Sequence, residues 1–340
     1  MKNFLKIASI NFLILFLFIL IFELVFGYFL KKNNFGYLMR SERQKNEIYE
    51  VIHNNQKYKF NYKRNFYGFR GEEVDPLNIK LVFEGGSTGN QKFTPQELTI
   101  VGQLNKKLTE VNYKYKIINA STDGKTLKGY ANDFKYWFPK INNFKPKYMI
   151  FYTGINDSNL NQEDKYDLPW REGTSLKIND YIKNNSKLVE LFKKVKYKYF
   201  NNQIRKEYGV TKQSNKLYEN FFYVNYETAK IRHIEKKSNE QLIKQLQNRL
   251  NNLKYYIDKF DIVPIFITQI KFDGLNDYNL FQVNEHLKVF CKRNQYYIIK
   301  LDEILTKLEE GSFYDQMHTT PAGNRFIAEK IFPELYKILK

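Results

Sequence analysis

Two hydrophobic patterns run along this chain and occupy different parts of it. From Ile7 to Leu30 apolar residues are almost continuous, interrupted by Asn11, Glu23 and a few small or aromatic positions. From Lys80 onward, short apolar runs alternate with stretches whose apolar residues recur at helical spacing. Lys80–Glu84, Tyr115–Ala120, Tyr148–Thr153, Ile262–Thr268 and Tyr296–Leu301 read as five strands. Thr94–Leu108 reads as a helix with Leu98, Val101, Leu104 and Leu108 on one face, and Leu127–Phe138 as another that stops near Pro139. Leu242, Leu246, Leu250, Leu253 and Ile257 mark a crossover helix. A final helix starts at Pro321 with Thr320 as its N-cap. Apolar strands alternating with amphipathic helices predict a parallel five-stranded sheet covered on both faces.

Between the third and fourth strands lies a stretch of about a hundred residues, far longer than a usual connection. Its second part is the crossover helix. Its first part, at about 160–236, reads as a helical insertion, rich in Lys and Tyr, that is either a substrate lid or a peripheral bundle. The predicted organisation is an N-terminal anchor over 1–32, a juxtamembrane connector over 33–78 with little periodicity, and an α/β domain over 79–340.

The first pattern predicts a transmembrane helix, because about 20 apolar residues cross a bilayer. Bulky Phe26, Tyr28, Phe29 and Leu30 run up to Lys31 and Lys32 without an Ala-x-Ala site, which favours an uncleaved anchor over a signal peptide. Lys2 and Lys6 flank one end; Lys31, Lys32, Arg40, Arg43 and Lys45 flank the other. Charge bias alone would leave the large domain in the cytoplasm, but it is weak evidence for so long a domain.

Composition adds limits. The 340 residues are 43% hydrophobic and 17% aromatic, enough to fill a core. Cys291 is the single cysteine, so no internal disulfide forms. The net charge of +19 is scattered along the chain, with no zinc-finger, homeodomain or RNA-binding aromatic motif, and no nucleic-acid partner is expected.

Ligands of open parallel sheets bind beyond the carboxyl ends of the strands. Every segment of special chemistry falls there: Gly85-Gly86-Ser87-Thr88-Gly89 after the first strand, Asn119-Ala120-Ser121-Thr122-Asp123-Gly124 after the second, Gly154-Ile155-Asn156-Asp157 after the third, and Asp315-Gln316-Met317-His318 before the last helix. Each alone could be a turn, a cap or a surface pair. Together they supply a serine hydroxyl, an imidazole to take its proton, a carboxylate three residues back to orient the imidazole, and oxyanion donors in the Ser87 N–H, the Gly124 N–H and the Asn156 amide. Asp315 and His318 could also bind metal, but no other His or Cys stands at ligand spacing, and neither metal nor cofactor is expected. His53, His233 and His286 read as structural or exposed.

These segments resemble the sequence blocks of the SGNH (GDSL-type) hydrolase family, over about Lys80 to Ile331. Ser87 matches the nucleophile block, Gly124 the second, Asn156 the third, and Asp315 with His318 the last. The usual Gly-Asp-Ser is Gly-Gly-Ser here, with Gly86 in place of the aspartate. The Gly-Gly-Ser-Thr form, with Asn65–Glu72 upstream, is similar to a membrane-anchored bacterial branch. The resemblance implies a flavodoxin-like three-layer α/β/α sandwich of strand order 2-1-3-4-5. It also implies a serine esterase with Ser87, His318 and Asp315 as its triad. The domain is then expected outside the cytoplasmic membrane, with an acylated cell-envelope glycan or another ester as substrate. Acyl transfer by the same residues, or a catalytically silent glycan-binding or assembly role, are the alternatives.

Overall fold

The computed structural model describes residues 2–27, 29–30, 46–159, 166–168, 182, 185–200 and 222–340. The rest of the expected insertion and of the connector lies outside the described residues. Two compact units emerge. One joins Met1–Ser41 with Trp170–Glu207, and the other joins Glu42–Pro169 with Tyr208–Lys340.

The first unit contains α1 (Lys2–Phe26), whose Phe4–Phe26 stretch has a mean hydropathy of 2.6. It is the helix, among the described residues, that is long and apolar enough to cross a membrane.

The second unit begins with an antiparallel hairpin, β1 (Asn46–His53) and β2 (Gln56–Lys63). Asn54 and Asn55, both at positive φ (49° and 62°), form its turn, a conformation that suits the twist of a two-residue hairpin. This hairpin falls inside the segment expected to be an aperiodic connector. It buries Tyr49, Val51 and Tyr62 on one face and leaves Ile48 and Ile52 exposed on the other.

The sheet follows as β3 (Leu81–Gly85), β4 (Ile117–Asn119), β5 (Tyr148–Tyr152), β6 (Val263–Ile267) and β7 (Tyr297–Ile299). All pairings are parallel and the order is β4-β3-β5-β6-β7, the predicted 2-1-3-4-5. Leu81 stands opposite Ile117 on one side and Tyr148 on the other, so β3 is where the chain's winding reverses. Every residue of β3 is buried.

The helices of the described residues that follow α1 are the short α2 (Ser87–Asn90), α3 (Ile100–Glu110), α4 (Leu127–Tyr136), α5 (Lys187–Phe200), α6 (Tyr226–Arg232), α7 (Glu240–Lys259), α8 (Tyr278–Asn294), α9 (Leu301–Ile304) and α10 (Pro321–Leu339). Of these, α5 belongs to the first unit. The helix expected from Thr94 starts only at Ile100. Thr99 caps it by accepting the Gly102 N–H, and Pro95 leads into a separate turn over Gln96–Leu98. Thr320 caps α10 as predicted, accepting from the Gly323 N–H. Residues 222–236, within the segment expected to be the insertion, belong to the sheet unit. Val224 is fully buried and exchanges backbone hydrogen bonds with Asp273 and Leu275.

Candidate active site

The tight turn after β3 delivers Ser87 as the first residue of α2. Its Oγ lies 2.8 Å from Nε2 of His318. His318 Nδ1 lies 2.7 Å from Asp315 Oδ2. Asp315 also ties its own loop: Oδ1 accepts the N–H of Met317 at 2.8 Å and of His318 at 2.7 Å. Burial opposes ionisation of Asp315, but the His318 ring and those two N–H groups outweigh it and hold the carboxyl below its usual range. With Nδ1–H donated to a carboxylate, Nε2 is left to accept the serine proton.

An aromatic stack fixes the imidazole from the side. The Tyr314 ring lies 5.7 Å from that of His318 at an interplanar angle of 12°, and His53 packs on Tyr314 at 5.0 Å. His53 is buried, its Nε2 donates to the Phe93 carbonyl at 2.9 Å, and burial pushes its pKa down. The hairpin therefore reaches the back of the base, which its sequence did not signal.

Asn156 and Gly124 approach the same turn. Asn156 Nδ2 donates one hydrogen to the Lys125 carbonyl at 2.7 Å; an amide nitrogen carries two. A Cβ on Gly86 would overlap that amide nitrogen and come within 3.3 Å of Asn156 Cγ. A side chain at position 86 would therefore require the Asn156 amide to move. The Asn156 amide fills the space that an aspartate side chain would need. Gly124 sits at φ +75°, with the Tyr166 ring 2.7 Å from where a Cβ would stand. Ser87, Lys92, Gly124, Asn156, Tyr166, Lys271 and His318 are among the residues lining a cavity of about 670 Å³. Its charges are mixed, since Asp123 and Asp277 also face it and Lys271 pairs with Asp277.

A second set of residues, not singled out by sequence reasoning, positions these groups. Lys125 is fully buried and bridges Glu84 on β3, at 3.0 Å, to Asp133 on α4. It thereby locks the Gly124 loop to the strand that carries Ser87. Gln269, after β6, accepts the Ile155 N–H at 2.8 Å and donates to Thr88 Oγ1 at 2.9 Å, joining the Asn156 turn to α2. Asp157 accepts from the Leu127 N–H at 3.2 Å, from Thr153 Oγ1 at 2.9 Å and from Arg249 at 3.1 Å. Burial nevertheless pushes its pKa up to about 6. The Asn65–Glu72 segment acts similarly. Arg70 donates to the carbonyls of Asn90, Gln91 and Thr94, and Arg64 to Asn90 Oδ1 and the Ser121 carbonyl, so both clamp the turn that ends α2. Burial lowers Arg70 to about 10.

No protein-family model matches the chain, and no curated protein sequence matches it. Solved structures to which it is similar include three that it covers over about three quarters of its length. TesA is 12% identical with a TM-score of 0.43, covering 76% of this chain and 98% of its own. A variant of an acetyl xylan esterase from Geobacillus stearothermophilus is 15% identical with a TM-score of 0.43, covering 76% and 94%. A member of the lipolytic G-D-S-L family from Veillonella parvula is 11% identical with a TM-score of 0.42, covering 75% and 97%. The chemistry of the site rests on its own side chains.

Proposed function

We propose that this protein is a membrane-anchored serine esterase that removes O-acyl groups, acetyl foremost, from cell-envelope glycans. The observation that carries the reading is the unbroken relay from Ser87 Oγ through His318 to Asp315, set beside Asn156 and Gly124 at a cavity of about 670 Å³. Ser87 Oγ attacks the ester carbonyl while His318 Nε2 takes its proton and Asp315 stabilises the imidazolium. The N–H groups of Ser87 and Gly124 and the second hydrogen of the Asn156 amide receive the oxyanion. Collapse expels the sugar hydroxyl, which leaves with the proton from His318. Water, deprotonated by the same imidazole, then releases the acid. The preference for a glycan is supported by the resemblance of the sequence blocks. That resemblance also supports a domain outside the cytoplasmic membrane, with α1 as its anchor.

The test is hydrolysis of p-nitrophenyl esters from acetate to octanoate, and of an O-acetylated polysaccharide, by the full chain in detergent. Ser87→Ala and His318→Ala are expected to lower kcat on the order of 10⁴-fold or more, with acetate preferred. Wild-type turnover no faster than either variant at every acyl length would overturn the reading.

A further inference from the structure

Glu23 is the single acidic residue of α1, and its side chain is taken up by the start of α5. Its Oε1 accepts from Ser186 Oγ at 2.6 Å and from the Leu188 N–H at 3.0 Å, and its Oε2 accepts the Lys187 N–H at 2.8 Å. Ser186 Oγ in turn accepts the Val189 N–H at 3.0 Å. Helix N-termini leave their first N–H groups without intrahelical partners and favour negative charge. Glu23 and Ser186 together satisfy the first three donors of α5. The two helices approach closely because Gly27, one residue past α1, has no side chain. A Cβ there would stand 3.0 Å from the Asn185 carbonyl.

The position of Glu23 sets the depth of that joint. From Phe4, a helix rising about 1.5 Å per residue reaches Glu23 after roughly 30 Å, the thickness of a bilayer's hydrocarbon core. The start of α5 therefore falls at headgroup level, on the side where the chain leaves α1.

The surface of α5 completes the picture. Leu188, Leu191, Phe192 and Val195 stand at i, i+3, i+4 and i+7, a single helical stripe, and they are 38%, 40%, 70% and 50% exposed. The sequence of α5 also carries five lysines against one acid, Glu190. An apolar stripe on a helix of lysine-rich sequence, its start pinned at headgroup level, has the chemistry of a helix lying in an anionic bilayer surface.

We propose that α5 lies in the surface of the bilayer that α1 spans, with Leu188, Leu191, Phe192 and Val195 among the acyl chains, and that the net positive charge of its sequence favours an anionic phospholipid surface. Glu23 is the latch that holds it there. The proposal rests on α1 being a membrane anchor, and the experiment separates the two. Single cysteines are placed at Leu15, Glu190, Leu191, Phe192 or Val195 in a full chain carrying Cys291→Ala. Each is nitroxide-labelled and reconstituted into phosphatidylglycerol-containing vesicles. Collision with oxygen is compared with collision with a water-soluble nickel chelate.

Positions 15, 191, 192 and 195 are expected to favour oxygen several-fold relative to position 190. Glu23→Ala is expected to lower that preference at 192 while leaving it at 15. Exchanging phosphatidylglycerol for phosphatidylcholine is expected to lower it at 192 as well. If 191, 192 and 195 match 190 while 15 remains in lipid, α5 is not in the membrane and the anchor stands. The same holds if they are shielded from both agents. If 15 favours the chelate, anchor and proposal fall together. An unchanged preference at 192 in Glu23→Ala overturns the latch, and one unchanged by lipid exchange overturns the preference for an anionic surface.

Discussion

Gly86 shows how one side chain decides a neighbour's place. The amide of Asn156 occupies the volume a Cβ at 86 would take, and Gly86 itself has an ordinary φ of −79°. Space, not backbone strain, selects glycine here. Gly86→Asp, which restores the common Gly-Asp-Ser, is therefore expected to displace Asn156 and lose one oxyanion donor. The expected loss is on the order of 10²-fold in kcat with KM nearly unchanged, read from steady-state kinetics on p-nitrophenyl acetate. An unaltered kcat would mean that Asn156 contributes nothing to the reaction. The meeting of Ser87 with Asp315 and His318 could be expected from the sequence because Ser87 sits in a short motif at a strand end and the other two share one just before the last helix. The placing of Lys125, Glu84 and Gln269 could not. A lysine in a polar loop reads as solvated, and only the fold brings it, fully buried, between Glu84 and Asp133.

Among elements, the sheet was the easiest to read and the hairpin the hardest. The apolar runs of β3, β5 and β6, buried almost throughout, give a continuous signal, whereas β1 alternates Ile48 and Ile52 outward against Tyr49 and Val51 inward, so both faces look apolar. Tyr58, Phe60 and Tyr62 do alternate, and with Asn54-Asn55 before them they are the clue that periodicity could have used. Helix α4 illustrates a joint that only the folded chain reveals. Thr126, Asp157 and Asp167 converge on its N-terminus, with Asp167 accepting from the Thr126 N–H at 2.8 Å and from its hydroxyl at 2.9 Å.

Burial raises the pKa of both Asp157 and Asp167, Asp157 from 3.8 to about 6. Between those two values the folded chain keeps a proton on Asp157 that the unfolded chain has released. Folding then takes up protons, so stability falls as pH rises through that window and levels off above it. The contribution of Asp157 is on the order of 3 kcal/mol across the window. Asp157→Asn is expected to flatten that slope in denaturant melts taken from pH 4 to pH 6.5. A slope identical to wild type would place the pH dependence elsewhere.

At the scale of the whole molecule, the net charge of +19 finds partial use. Arg64, Arg70 and Lys125 are buried structural cations, and Arg249 pairs with Asp157. The surplus fits a protein working against an anionic membrane surface more simply than one binding nucleic acid. The full chain is expected to stay with the membrane pellet after alkaline carbonate washing, and its release into the supernatant would contradict α1 as an integral anchor. Tyr223, Val224 and Ala229 look like ordinary helix and loop residues in the sequence, and only the fold joins Val224 to Asp273 and Leu275. The central claim is that Ser87 is a nucleophile activated by His318. Its most direct test is labelling of the intact protein with a fluorophosphonate, followed by peptide mass spectrometry. One adduct on Ser87 is expected in wild type, none in Ser87→Ala, and far slower labelling in His318→Ala. A wild-type protein left unlabelled, or labelled equally fast without His318, would contradict the account.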